Sequence, residues 1–162
     1  MIKQHIYVTA QTIIVAATGQ EKKVAVAESC TGGLVGAALT TIPGASGAFH
    51  GGIIAYSNDV KHNVLGVPRN IIQKYGAVSA EVASAMVTGV LDHLGADLAV
   101  SITGIAGPQG GTTHKPVGTV WIAAGTKKAV KTHKKLFKNM KRDEVREAAT
   151  LAALTELSHL LL

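Results

Sequence analysis

The stretch Val24–Leu39 reads VAVAESCTGGLVGAAL. Its first four residues, Val24–Ala27, are an apolar run of strand length, which Glu28, Ser29, Cys30 and Thr31 stop abruptly. Gly32-Gly33 follow, and from there small and apolar residues recur at helical spacing up to about Thr40. The order is strand, polar corner, helix, the unit from which α/β folds are assembled. Each glycine costs a helix roughly 0.5–1 kcal/mol relative to alanine, so something offsets that cost. Two readings of the corner are open. In one, the backbone approaches a ligand closely and the free N–H groups at the helix start hold an anion or an oxyanion. In the other, the corner is a plain turn with Ser29 or Thr31 as N-cap.

Upstream, Ile6, Ala10, Ile13, Ile14 and Ala17 suit one face of a helix over Ile2–Thr18, ended by Gly19 and Gln20. Downstream, Pro43-Gly44 marks a turn, and GGIIAYSN predicts a strand through Ile53-Ile54-Ala55-Tyr56. Ser57 or Asn58 caps a short helix that carries Lys61 back towards that strand's end. Pro68 opens another helix with Ile71, Ile72 and Tyr75 as its buried residues, and Gly76 closes it. Ser79 caps an alanine-rich helix running to about Leu94. Asp97–Thr103 is a strand interrupted by Ser101 and followed by the second glycine-rich corner, GIAGPQGG. Val117–Gly125 and Ala129–Phe137 are two strands around Gly125-Thr126-Lys127. The segment from Lys141 to Leu162 is the clearest helix, with Val145, Ala148, Ala149, Ala152 and Leu157 near one face and Asp143 and Glu144 at its start. Strands alternating with helices predict a three-layer α/β/α sandwich, and the pair near Trp121 predicts a mixed, mostly parallel sheet.

At 162 residues the chain is read as one domain over its whole length, with a core of valine, isoleucine, leucine and much alanine, since 47% is apolar and only 4% aromatic. No run reaches the roughly 18 uncharged apolar residues of a membrane span, and Lys3 and His5 are not followed by a signal-peptide core. A soluble, cytoplasmic protein without membrane attachment is expected. The single cysteine, Cys30, excludes an internal disulfide framework and agrees with a reducing compartment. The formal charge is +6, with much of the excess between Lys127 and Arg142. Such a surface suits nucleic acid, a phosphorylated small molecule or plain solvation. Nucleic-acid binding is the least favoured, because the lysines fall partly on a strand with no recognition motif or stacking aromatics.

In an open α/β sheet, ligands sit beyond the carboxyl ends of the parallel strands. Three such ends carry polar chemistry here: Glu28-Ser29, Tyr56-Ser57-Asn58 with Lys61, and Thr103-Gly104. A serine hydroxyl needs a nearby base to become a nucleophile, and the chain offers no serine–histidine–acid pattern of the elbow type. A desolvated Lys61 can take that part, with Tyr56 relaying or orienting the proton. Against this stands the plainer reading of Lys61 as a surface lysine and Tyr56 as a strand-end aromatic. Cys30 next to Ser29 is either a second candidate nucleophile or a small buried hydrophobe, and the latter is preferred. His50, His62 and His114 match no metal-binding signature, so no metal is expected.

Several stretches carry a resemblance: AESCTGG at Ala27–Gly33, YSNDVK at Tyr56–Lys61, GAVSAEVA at Gly76–Ala83, TGIAGPQGG at Thr103–Gly111 and KPVGTVWIA at Lys115–Ala123. In this order they resemble the CinA C-terminal domain family, which includes stand-alone nicotinamide-mononucleotide amidohydrolases of the PncC type. The resemblance covers nearly the whole chain. It implies a compact α/β/α hydrolase that converts nicotinamide mononucleotide to nicotinate mononucleotide and ammonia in pyridine-nucleotide salvage, with no cofactor. It further implies Ser29 as nucleophile, Tyr56 and Lys61 as its helpers, and Thr103 and Gly104 as an active-site wall with oxyanion support. Arg142 matches an arginine near the start of the last helix. Family members commonly carry a glycine-acid-arginine turn there, whereas this chain has Met140 and Lys141 before Arg142.

Residues and resemblance agree on amide hydrolysis. Ser29 attacks, Lys61 accepts its proton, and backbone N–H groups of Thr31, Gly32 and Gly33 or of Gly104 hold the oxyanion. The competing class is a catalytically silent module that binds a pyridine nucleotide or docks a protein, in a family linked by name to competence and DNA damage. Self-association, as a homodimer, is expected from the alanine-rich helical faces.

Overall fold

A parallel pair flanks the deciding stretch: Val24–Glu28 is strand β1, and it lies between Phe49–Ile54 (β2) and Leu98–Gly104 (β3), parallel to both. Thr119–Gly125 (β4) runs antiparallel to β3, and Val130–Leu136 (β5) antiparallel to β4. The computed structural model, which describes residues 2–162, thus has one five-stranded mixed sheet in the order β2-β1-β3-β4-β5. The helices are α1 (Gln4–Gly19), α2 (Leu34–Thr40), α3 (Asn58–Asn63), α4 (Arg69–Tyr75), α5 (Ala80–Leu94) and α6 (Arg142–His159).

Alternation along the strands sorts the two faces by size. Val24, Val26, Val100, Ile102, Val120 and Ile122 point to one side and pack with α1, α2 and α6, including Ile13, Leu39, Leu154 and Leu157. Ala25, Ala27, Ala99 and Ala123 point to the other and pack with α5 through Ala83, Met86, Val87 and Val90. Small side chains on that face let α5 lie close to the sheet, and Ser101, which interrupts the apolar run, donates its hydroxyl to the Ala83 carbonyl (2.6 Å). The buried hydroxyl therefore has a partner, as a low-dielectric interior requires. Two helical layers around a mixed sheet make the predicted α/β/α sandwich. None of the described helices is long and apolar enough to cross a membrane.

Differences from the sequence reading have local causes. Gly32 and Gly33 take φ of 60° and 102°, so Thr31–Gly33 is a turn and α2 starts at Leu34 instead of Thr31. β2 begins at Phe49, not Ile53, because its glycines belong to the strand: a side chain on Gly52 would overlap Val26 of β1. α4 buries nothing fully; Ile71 and Ile72 are half-buried and Tyr75 is exposed, so the predicted buried face is corrected to a partly covered one. α6 is rotated slightly, burying Thr150, Ala153 and Leu154 with Val145, Ala149 and Leu157, while Ala148 and Ala152 stay half-buried.

Candidate active site

The three polar strand ends meet at the carboxyl edge of β1, β2 and β3. β1 hands over to Ser29, whose amide still donates to Ile102 of β3 (2.9 Å), while Ala55 after β2 donates to the Glu28 carbonyl (2.7 Å). The corner is thus tied to strands on both sides. Ser57 caps α3 by accepting from the Val60 amide (3.2 Å), as the sequence suggested for Ser57 or Asn58. One turn later α3 delivers Lys61, only 2% exposed, with Nζ 2.9 Å from Ser29 Oγ.

The surroundings of Nζ define its chemistry. It donates to the carbonyls of Ala55 (2.8 Å) and Tyr56 (3.3 Å), and its third direction faces the serine hydroxyl. A neutral amine has two N–H bonds and one lone pair, which fits two carbonyl acceptors and one hydroxyl donor. Burial lowers the Lys61 pKa from its ordinary 10.5 to about 8. Cys30, also buried, is pushed up to about 11 by desolvation and packs into the core on the α6 side. A thiol held in its protonated form is a poor nucleophile beside a serine with an adjacent amine.

A cavity of about 270 Å³ opens over this pair, near the lower end of the roughly 300–1,000 Å³ usual for ligand pockets. Ser29, Tyr56, Lys61, Thr103, Gly104 and Arg142 all line it, with Cys30, Asn58, Ala77, Val78 and Ala106 completing the wall. A larger hollow, about 550 Å³, lies at the opposite end of the sheet beside Gly95–Leu98 and Lys127-Lys128, away from the serine–lysine pair. Volume alone selects that end; the buried amine singles out the smaller cavity as the candidate site.

Some sequence-predicted residues are placed differently from the reading above. The Thr31 hydroxyl (2.6 Å) and the Gly33 amide (3.0 Å) donate to Glu28 Oε2, as does the Val35 amide (3.2 Å), and the Gly36 amide donates to Oε1 (2.8 Å). The Gly32 amide donates to the Ser29 carbonyl (3.0 Å). The start of α2 is therefore filled by an internal carboxylate: Glu28 caps it in place of Ser29 or Thr31, and Thr31, Gly32 and Gly33 shape the corner without lining the cavity. Tyr56 is 62% exposed and its hydroxyl accepts from Arg142 NH2 (3.1 Å); its carbonyl, not its ring, contacts Lys61. Thr103 turns its hydroxyl to the Ala77 carbonyl (2.8 Å), tying the wall loop to β3.

Arg142 holds the Gly107 carbonyl through NH1 (2.7 Å) as well as Tyr56, and no carboxylate pairs with it among the described residues. Its positive charge thus stays uncompensated at the cavity. Met140 and Lys141 lie exposed just outside α6. The capping role of Glu28 and the whole of Arg146 escaped the sequence reading. Glu28 was visible as the acid that ends the strand, and Arg146 as the second arginine at i+4 from Arg142 on one helix face. Among the described residues no three of histidine, cysteine, aspartate and glutamate gather where they could hold a metal.

Comparison with known proteins places this arrangement. A CinA-like protein of Gemmatimonas aurantiaca is 50% identical over 133 residues, covering 82% of this chain and 31% of that protein. A CinA-like protein of Akkermansia muciniphila is 55% identical over 104 residues, 64% of this chain and 25% of that protein. The chain spans between about a quarter and a third of the length of the curated relatives it matches. The crystal structure of the competence/damage inducible protein CihA from Agrobacterium tumefaciens superposes with a TM-score of 0.96 at 39% identity, covering 99% of this chain and 98% of that one. A CinA superfamily protein from Klebsiella pneumoniae gives 0.91 at 31% identity, over 96% and 97%. With the CinA C-terminal domain model matching residues 7–161, the chain belongs to the CinA C-terminal domain family.

Proposed function

We propose that the protein hydrolyses the carboxamide of nicotinamide mononucleotide, giving nicotinate mononucleotide and ammonia. The observation that carries the reading is the buried Lys61 amine 2.9 Å from Ser29 Oγ, at the floor of a cavity whose rim bears Arg142, which meets no carboxylate among the described residues. Neutral Lys61 takes the hydroxyl proton as Oγ attacks the carboxamide carbon. The resulting tetrahedral oxyanion collapses with cleavage of the C–N bond, and the Lys61 ammonium returns the proton to the leaving nitrogen, which departs as ammonia. Water then gives a proton to Lys61 as its oxygen attacks the ester carbon; the acyl–Oγ bond breaks, Lys61 returns that proton to Ser29 Oγ, and the acid released ionises to the carboxylate in solvent. Every proton transfer uses one group, so no additional acid is needed. Tyr56 acts through its carbonyl and by holding Arg142, and Arg142 supplies positive charge for the substrate phosphate.

An ammonia-release assay on nicotinamide mononucleotide and on free nicotinamide tests the reading, with Lys61→Ala as control. Turnover of the mononucleotide alone, lost in the variant, is the expected result. Equal turnover of both compounds would refute a mononucleotide site, and turnover of neither would favour a silent binding module.

A further inference from the structure

The amidase reading leaves open which backbone groups receive the oxyanion, and the hydrogen bonds of the corner narrow the choice. Of the amides from Cys30 to Gly36, those of Gly32, Gly33, Leu34, Val35 and Gly36 all have acceptors, in Ser29, Glu28 and Thr31. The amides of Cys30 and Thr31 donate to no other residue among those described, the Cys30 N–H meeting only its own sulfur. Thr31 is fully buried and does not line the cavity, whereas Cys30 does. The amide following a nucleophilic serine is also where acyl-transfer sites commonly place an oxyanion donor.

The Cys30 amide is held from both sides. In a trans peptide the carbonyl and N–H point in opposite directions, so the Gly32 bond to the Ser29 carbonyl fixes the direction of the Cys30 N–H. The carbonyl on the other side of Cys30 accepts from Arg146 Nε (3.1 Å), and the next carbonyl, Thr31, accepts from Arg146 NH2 (3.0 Å). The guanidinium fork therefore takes two successive carbonyls from α6, one turn beyond Arg142.

We propose that Arg146 is a positioning residue: it fixes the Ser29–Thr31 turn so that the Cys30 amide faces the substrate oxyanion, and draws the negative ends of two peptide dipoles away from it. This rests on the amidase reading. Lysine keeps the charge but cannot span two carbonyls in one plane, and glutamine removes the charge. Loss of one oxyanion donor typically costs about 10²–10³ in turnover.

The test compares wild type, Arg146→Lys and Arg146→Gln in three measurements: kcat and KM for ammonia release against pH, thermal melting, and the rate at which a fluorophosphonate labels Ser29. In the labelling step Oγ bonds to phosphorus, fluoride leaves, the proton passes to Lys61, and the phosphoryl oxygen occupies the oxyanion position. Arg146→Gln is expected to lower kcat about 10²-fold and labelling at least tenfold, and Arg146→Lys to lower both by at least about fivefold, though less than glutamine does. KM stays within about threefold and the pH midpoint is unchanged, because neither substrate binding nor the base is touched. Turnover and labelling within about threefold of wild type in either folded variant would overturn the proposal, as would a loss confined to KM or a shifted pH midpoint. If glutamine prevents folding, the lysine variant decides alone. Wild-type protein that labels at Ser29 but releases no ammonia would reject the amidase reading, and the labelling rates would still judge Arg146.

Discussion

Lys61 is an amine enclosed by two carbonyls and a hydroxyl with almost no water, and burial brings its pKa to about 8. At pH 7 about a tenth of such amines are neutral, against roughly one in 3,000 at the ordinary 10.5, so burial makes a base available at physiological pH. kcat/KM is therefore expected to rise about tenfold per pH unit well below 8 and to level off above it. A flat profile from pH 6 to 9 would remove Lys61 as the base. The same shift enters stability with a definite sign. Between about 8 and 10.5 the unfolded lysine holds a proton that the folded one has lost, so stability rises with pH across that window. Urea unfolding should show a gain on the order of 1–3 kcal/mol from pH 8 to 10.5 relative to Lys61→Met, which lacks the titrating group. That Ser29 and Lys61 belong together was legible from their places at two strand ends. That Tyr56 would contribute its carbonyl was not, because residue type says nothing about which atom of a residue is used.

At the scale of elements, the site depends on two junctions. The first is the start of α2, where Glu28 gathers three amides and the Thr31 hydroxyl on one buried carboxylate. The glycine corner announced a tight turn in sequence, but whether its amides met a substrate or an internal acid depended on where the Glu28 side chain pointed. Glu28→Gln places an NH2 donor among donors and should cost about 2 kcal/mol or more in urea unfolding; an unchanged midpoint would show that the cap carries no stability. The second junction is α5 against the segment after α3. A Cβ on Gly89 would overlap the backbone of Leu65, whose own chain continues from Lys61 through α3. Gly89→Ala is expected to destabilise the fold by about 1–3 kcal/mol and to lower turnover by displacing α3, read by melting and by ammonia release. The alanine-rich helix was legible in sequence; the close approach that requires its internal glycine is a tertiary fact.

Over the whole molecule, the layer order was readable because strands and helices follow one another in turn along the chain, and the positions of the glycine-rich corners told which end of the sheet to examine. The strand order was not, since pairing β1 between β2 and β3 leaves no periodic trace. The basic stretch also has a plainer meaning in three dimensions. β5 is an edge strand, and Lys131 and Lys134 stand exposed along it, the placement that discourages another strand from pairing there. Replacing both by threonine should leave turnover within about twofold and promote self-association in light scattering, since the charges guard an edge and do not touch the cavity. The account as a whole turns on Ser29, the residue on which corner, amine and cavity converge. Ammonia release from nicotinamide mononucleotide by Ser29→Ala, set beside its melting curve, tests it most directly. The account predicts a folded protein whose turnover has fallen on the order of 10²–10⁴ or more; a folded variant that releases ammonia at nearly the wild-type rate would contradict it.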